Sequence, residues 1–306
     1  MRVSEHSRQN VFDLLRRGEF ILGIHPFVVR VRSDISRLAD DICLMYADFP
    51  VHELGEFSDF HVEVSFEGGI RRWLKPLARF YFDGRPSFIP LPATQAFPML
   101  EWGINWCVAA HSHNFLIIHA AVIERNGKAI ILPAPPGAGK STLCAALINR
   151  GWRLLSDELA LYDMAERLVY GMARPVNLKN ASIDIVSTFV PDAVMTAVVP
   201  DTTKGTVALM RPPQESVFRI AEPAEPAMIV LPNYKYGADP LLEPYAKAQT
   251  FMLIADQSFN YSVHGRAGFD AVGELVEHCR CLRFTYSRLE HAEQVFDSLL
   301  GSVGYA

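Results

Sequence analysis

The 306-residue chain is half hydrophobic and 21% charged, with a net charge of −5. That balance calls for a sizeable buried core and excludes a disordered or strongly basic chain, so nucleic acid is not expected as a partner. The five cysteines (Cys43, Cys107, Cys144, Cys279 and Cys281) follow no disulfide framework. Residues 1–20 carry no apolar signal core, and no run approaches the roughly 18 apolar residues of a membrane span, so reduced thiols, no membrane and a cytoplasmic location are expected.

In chain order, residues 11–17 read as a short amphipathic helix and residues 20–31 as an apolar, β-branched strand. Residues 35–46 predict a helix with Ile35, Leu38, Ile42 and Met45 on one face. The alternation of residues 59–67 predicts a strand ended by Gly68-Gly69. Residues 79–82 and 87–91 predict a hairpin around Asp83-Gly84-Arg85-Pro86. His61, Arg71 and Arg72 are read as part of a solvated sheet face. Residues 1–95 are thus expected to form a small α+β module ahead of a larger domain over residues 96–306. Pro90, Pro92 and Pro98 mark a rigid connection into a helix over 99–110, with Leu100, Trp102 and Trp106 turned to the core. His111 and His113 fall at its end, where cationic side chains suit the helix dipole; a metal there would need a third ligand from elsewhere.

Residues 119–162 carry the chemistry. Asn126-Gly127 predicts a two-residue hairpin; pairing Arg125 with Lys128 then sets His119 opposite Ala134. Apolar residues 129–132 run into Ala134-Pro-Pro-Gly-Ala-Gly-Lys-Ser-Thr142, and residues 143–148 continue as a helix. Strand, glycine loop, Lys-Ser-Thr and helix make the context that a phosphate-binding loop requires. Gly137, Ala138, Gly139, Lys140, Ser141 and Thr142 would cradle the phosphates with backbone N–H groups at a helix N-terminus. Lys140 would reach the β- and γ-phosphates, and the Ser141 hydroxyl would hold Mg²⁺. Pro135 and Pro136 stiffen the entry and remove two donors. After a helix stop at Asn149-Arg150-Gly151, the strand over 153–156 ends in Asp157-Glu158, two carboxylates where Mg²⁺ and the γ-phosphate would sit. His119 then lies at the mouth of the loop.

His119, the hairpin, Gly137-Ala-Gly-Lys-Ser-Thr142 and Arg150-Gly-Trp-Arg-Leu-Leu-Ser-Asp-Glu158 together resemble the catalytic domain of HPr kinase/phosphorylase. Those protein serine kinases have a phosphate-loop fold related to phosphoenolpyruvate carboxykinase. Residues 114–161 carry the resemblance best. Arg174-Pro-Val-Asn-Leu-Lys-Asn180, Lys204-Gly-Thr-Val and Leu231-Pro-Asn-Tyr are similar to the branch of HPr kinase-related kinases, type A. The resemblance implies an α/β P-loop kinase domain, a mixed sheet with helices, following the N-terminal module. It implies Asp157 as catalytic base, His119 as its partner and Glu158 as a metal-associated carboxylate, with ATP and Mg²⁺ as ligands. Type A relatives are associated with small peptide-binding proteins resembling PqqD, which suggests a protein or peptide acceptor; HPr kinases are hexamers, which suggests a homo-oligomer. Thr142 stands where HPr kinases carry Glu, and the Glu-x-Arg-Gly-Leu-Gly signature tied to phosphorylase activity is absent. Neither dephosphorylation nor HPr as acceptor is therefore implied.

Beyond the acids, residues 160–162 and 168–170 predict paired strands, and 206–210 and 228–231 further strands. Residues 241–248, 250–255 and 268–279 predict helices, 282–286 a last strand and 291–300 a closing helix. Arg174, Lys179 and Lys204 are candidate cations for a transferring phosphoryl group. Three function classes follow. The first is a Mg²⁺-dependent kinase moving the γ-phosphate of ATP to a Ser or Thr hydroxyl of a protein or peptide, with a small-molecule acceptor as a variant. The second is an NTPase switch, although the chain has neither an Asn-Lys-x-Asp guanine reader nor a Leu-Ser-Gly-Gly-Gln signature. The third is a nucleotide-binding scaffold without catalysis, which Thr142 leaves open.

Overall fold

The computed structural model describes residues 1–69, 74–135 and 137–301; Arg71, Arg72 and Pro136 lie outside them. Ser7 caps helix α1 (Arg8–Arg17) by accepting from the Asn10 N–H at 3.1 Å, and Gly18 ends it in the left-handed region. Strands β1 (Phe20–Ile24) and β2 (Phe27–Arg32) form an antiparallel hairpin in place of the single strand predicted over 20–31. Pro26, which has no N–H to give a ladder, sits in the turn. Helix α2 (Ser36–Met45) precedes β3 (Phe60–Phe66), β4 (Leu77–Phe82), β5 (Arg85–Pro86) and β6 (Leu91–Pro92). The sheet is ordered β1-β2-β3-β4-β5, with β6 also on β4. Arg85 and Pro86 pair with Phe82 and Tyr81, so the predicted turn tightens to Asp83-Gly84. Helix α3 (Ala96–His111) lies against β3 and β4, and Trp106 meets the rings of Phe82 and Phe88 edge-on at 5.7 and 5.4 Å.

A second sheet is centred on β7 (Leu116–Arg125) and β8 (Lys128–Pro133). Asn126 and Gly127 both take positive φ, 55° and 76°, the conformation of a two-residue turn matched to strand twist. The register runs from Arg125 opposite Lys128 to Ala120 opposite Pro133, so the next step sets His119 level with Ala134 as predicted. Then follow α4 (Lys140–Ile148), β9 (Arg153–Ser156), β10 (Leu159–Asp163), β11 (Leu168–Tyr170), β12 (Val176–Lys179), α5 (Ala181–Phe189), β13 (Val199–Thr202) and β14 (Gly205–Met210). The chain closes with α6 (Gln214–Phe218), β15 (Glu225–Tyr234), β16 (Leu241–Pro244), α7 (Lys247–Asp256), α8 (Tyr261–His278), β17 (Arg280–Tyr286) and α9 (Leu289–Gly301).

The second sheet is ordered β11-β10-β7-β8-β15-β17-β16, with β9 also on β7. Strand β15 runs parallel to both β8 and β17, while the other pairings are antiparallel. The chain is a mixed α/β structure. Residues 241–244, predicted as helix, form the edge strand β16 on β17, a position where Pro244 is tolerated. Strands β12, β14 and β13 make a separate antiparallel sheet.

Side chains of β7 and β8 alternate between two cores, as the period of a strand dictates. Ile117, Ala121, Ile123, Ile130 and Leu132 join Leu143, Leu147 and Phe296 of α4 and α9 on one face. Leu116, Ile118, Val122, Ala129 and Ile131 meet Ile254, Val272, Leu275 and Val276 of α7 and α8 on the other. Covered on both faces, the two strands hold the loop after β8 and the carboxylates after β9 on a rigid base.

Candidate functional site

The loop between β8 and α4 is shaped by one glycine above all. Gly139, at the head of α4, has φ 88°, and a Cβ there would lie 2.6 Å from the Tyr286 hydroxyl. That hydroxyl donates to the Gly139 carbonyl at 3.2 Å. The first intrahelical bond closes from Leu143 N–H to Gly139 at 2.9 Å, so the N–H groups of Lys140, Ser141 and Thr142 have no partner within the helix. They face a cavity of about 1090 Å³ whose wall includes His119, Lys140, Ser141, Glu158, Lys179 and Tyr234.

Lys140 extends its stem along this wall but buries its ammonium, which has no hydrogen-bond partner among the described residues. Burial holds its pKa below the ordinary lysine value, against the pull of Asp157 and Glu158. Asp157 is buried. Its Oδ2 accepts from the Ser141 hydroxyl at 3.3 Å and the Asn177 N–H at 3.1 Å, while Oδ1 has no hydrogen-bond partner among the described residues. Burial and the adjacent Glu158 push Asp157 up to about 6, opposed by Lys140, the Asn177 N–H and the Ser141 hydroxyl. Glu158 faces the cavity. Burial would raise it, but Lys204, Lys179, Lys140 and His119 together bring it below the usual glutamate value.

His119 pairs with Leu159 across β7 and β10, so the backbone ties it to the residue after Glu158. Burial, followed by the field of Lys140, lowers its imidazole to about 4, and Glu158 only partly offsets them. It is neutral at physiological pH. Its ring lies 5.8 Å from that of Phe259.

The three cations singled out from sequence part company. Lys179 reaches Glu158 at 4.0 Å, and Lys204 acts on the same carboxylate while its ammonium sits 4.8 Å over the Trp102 ring. Arg174 is not free for a phosphate: it is buried in an ion pair with Glu101 at 3.3 Å. It also donates to the side-chain oxygen of Asn105, whose amide donates to Glu158 Oε2 at 2.5 Å. The Tyr46 hydroxyl donates to the other Glu101 oxygen at 2.5 Å. Sequence reasoning gave no role to Glu101, Asn105 or Tyr286, and met Asn177 and Tyr234 only inside the segments 174–180 and 231–234 that carry the family resemblance. A further local signal was the polarity of Glu101 and Asn105 on the apolar helix α3, one turn apart.

The residues present fit a nucleotide with Mg²⁺. An orphaned buried ammonium and open helix N–H groups suit phosphates. The Ser141 hydroxyl beside a carboxylate with a free oxygen is a small donor set, such as Mg²⁺ takes when phosphates and water complete its shell. Among the described residues no group of three or more His, Cys, Asp and Glu side chains is placed to hold a metal. Cys279 and Cys281 are buried free thiols, and His111 stacks on Phe82 at 4.6 Å. Among the described residues no helix is long and apolar enough to cross a membrane.

Comparison with known proteins adds three findings. The family model described as SynChlorMet cassette protein ScmC matches residues 97–172, from α3 through the loop after β8 and the carboxylates after β9. No curated protein matches. Among solved structures, the Hpr(Ser) kinase/phosphatase from Coxiella burnetii is similar over 61% of this chain and 99% of its own, at 12% identity and a TM-score of 0.28.

Proposed function

We propose that this protein is a Mg²⁺-dependent kinase that transfers the γ-phosphate of ATP to a hydroxyl, the Ser or Thr of a protein or peptide. The observation that carries this reading is the buried Lys140 ammonium, a desolvated cation with no hydrogen-bond partner among the described residues, at the head of a helix that follows a glycine loop. A polyphosphate is the ligand such a site lacks. Ser141 and Asp157 would supply the donors for Mg²⁺, which when bound provides positive charge against the phosphate oxygens.

The two carboxylates divide the labour in this reading. Asp157, held by Ser141 and Asn177 with one free oxygen, suits the metal. Glu158 lines the cavity with His119, where an acceptor hydroxyl would enter. That position, not its basicity, suits it to take the hydroxyl proton, since the surrounding cations hold it below the usual glutamate value. That exchanges the roles implied by the family resemblance. Neutral His119 can share a hydrogen bond at the same point, and Lys179 and Lys204 supply positive charge beside it. Phe259, 52% exposed, lies with its ring 5.8 Å from that of His119 and offers an apolar surface beside it. The large cavity and the acceptor-side cations speak for transfer over a simple switch.

The test is incubation with γ-labelled ATP, Mg²⁺ and a lysate of the cells that make the protein, with Lys140→Ala and Glu158→Gln alongside. A labelled protein that disappears in both variants is expected. Phosphate release with no labelled acceptor would replace this reading by an NTPase, and nucleotide binding without turnover would replace it by a scaffold.

A further inference from the structure

The phosphate loop sits in the middle of the sheet, and its two flanks differ in chemistry. Strands β7 and β10 carry or adjoin His119 and Glu158 on one side of β8. Strands β15 and β17 lie on the other and end in aromatic residues: Tyr234 and Tyr286 are register partners at their C-terminal ends. In open α/β sheets, ligands bind in the crevice beyond such strand ends. A triphosphate whose terminal phosphate points to the carboxylates must carry its nucleoside toward β15 and β17.

The two tyrosines have different work. Tyr286 is buried, and its hydroxyl is committed to the Gly139 carbonyl. Tyr234 packs its ring 5.8 Å from that of Tyr286, at 74°, and its Cβ would lie 3.3 Å from a Cβ placed on Gly139. It is nonetheless 46% exposed and lines the cavity. An aromatic side chain fixed against the first turn of a phosphate loop, with an open face toward the ligand space, needs a flat partner. The neighbouring Ser287 hydroxyl donates to the Ala238 carbonyl at 2.7 Å and is spent within the protein.

We infer that Tyr234 is the stacking platform for the base of the bound nucleoside triphosphate. The inference rests on the nucleotide reading above and adds the half of the ligand that the phosphate loop does not touch. Stacking on an aromatic ring adds affinity through the π-face that every base offers.

Calorimetric titration of the full chain with Mg²⁺ and either ATP or inorganic tripolyphosphate tests it. Tyr234→Ala should weaken ATP roughly ten-fold or more while leaving tripolyphosphate within about two-fold, and Tyr234→Phe should bind both as the wild type does. Unchanged ATP affinity in Tyr234→Ala would overturn the platform, as would an equal loss of both ligands. A wild-type chain that binds neither ligand would overturn the nucleotide reading itself. One that binds both equally would leave the phosphate loop standing and remove the base site.

Discussion

Asn105, in the middle of α3, donates its amide hydrogen to Glu158 at 2.5 Å, although 53 residues separate the two. The same amide oxygen accepts from Arg174, which is fixed by the buried Glu101 carboxylate, so Asn105 has one orientation available. Replacing it with Ala should lower the rate of phosphate transfer about ten-fold through loss of Glu158 positioning. ATP affinity should stay within about two-fold, because the phosphate loop is untouched. Single-turnover transfer and equilibrium titration, run on the same preparation, separate the two quantities.

Lys140→Met should move binding and stability in opposite directions. ATP affinity should fall roughly a hundred-fold with the loss of a desolvated charge partner. The ligand-free protein should melt slightly higher, because burial outweighs the two carboxylates in its effect on the Lys140 charge. A lower melting temperature together with weakened binding would show that Lys140 also serves the empty fold.

His119 makes stability depend on pH. Its folded pKa, about 4, lies below the ordinary 6.5, so between these values the unfolded chain binds a proton that the folded chain refuses. Stability from this source is complete above pH 6.5 and is lost as pH falls toward 4. The loss should be on the order of 2 kcal/mol after allowance for the partial exposure of the ring. Urea titrations at pH 7 and pH 4.5 should show a smaller drop for His119→Gln than for the wild type.

Glu124 and Arg153 form an ion pair with side chains only 1% and 4% exposed, joining β7 to β9. Arg153 also donates to the carbonyls of Arg219 and Glu222 at 2.7 and 2.8 Å. Glu124→Ala leaves that guanidinium buried without its counter-charge and should cost about 3–5 kcal/mol. Because β9 delivers Asp157, nucleotide-linked stabilisation by Mg²⁺-ATP should weaken in the same variant. Thermal melts with and without the ligand measure both effects.

What could be read from sequence was what is encoded locally. Asn126-Gly127 dictates its own turn, and the turn dictates the register that brings His119 level with the loop. Lys140, Ser141 and the acids after β9 follow from a strand-loop-helix pattern contained within a few dozen residues. Arg174 shows why the rest was hidden: a sequence displays a charge but not the carboxylate that claims it, here Glu101 on α3. Tyr234 and Tyr286 reach the phosphate loop only through parallel pairing of distant strands. Residues 241–248 misled for a related reason. Leu241-Leu242 and Ala246-Lys247-Ala248 suit a helix, but pairing with β17 claims the first four residues as an edge strand.

The hydroxyl of Tyr46, which belongs to the N-terminal part of the chain, closes on Glu101 inside the core. From there the contacts run through Arg174 and Asn105 to Glu158. A fragment beginning at residue 96 would contain every residue of the phosphate loop and both carboxylates. It would still expose the face of α3 that β3 and β4 cover, and would give Glu101 water in place of a phenol. Silence from such a fragment would speak to a broken inheritance rather than to an inert loop. The two regions should be expressed, mutated and assayed as one molecule.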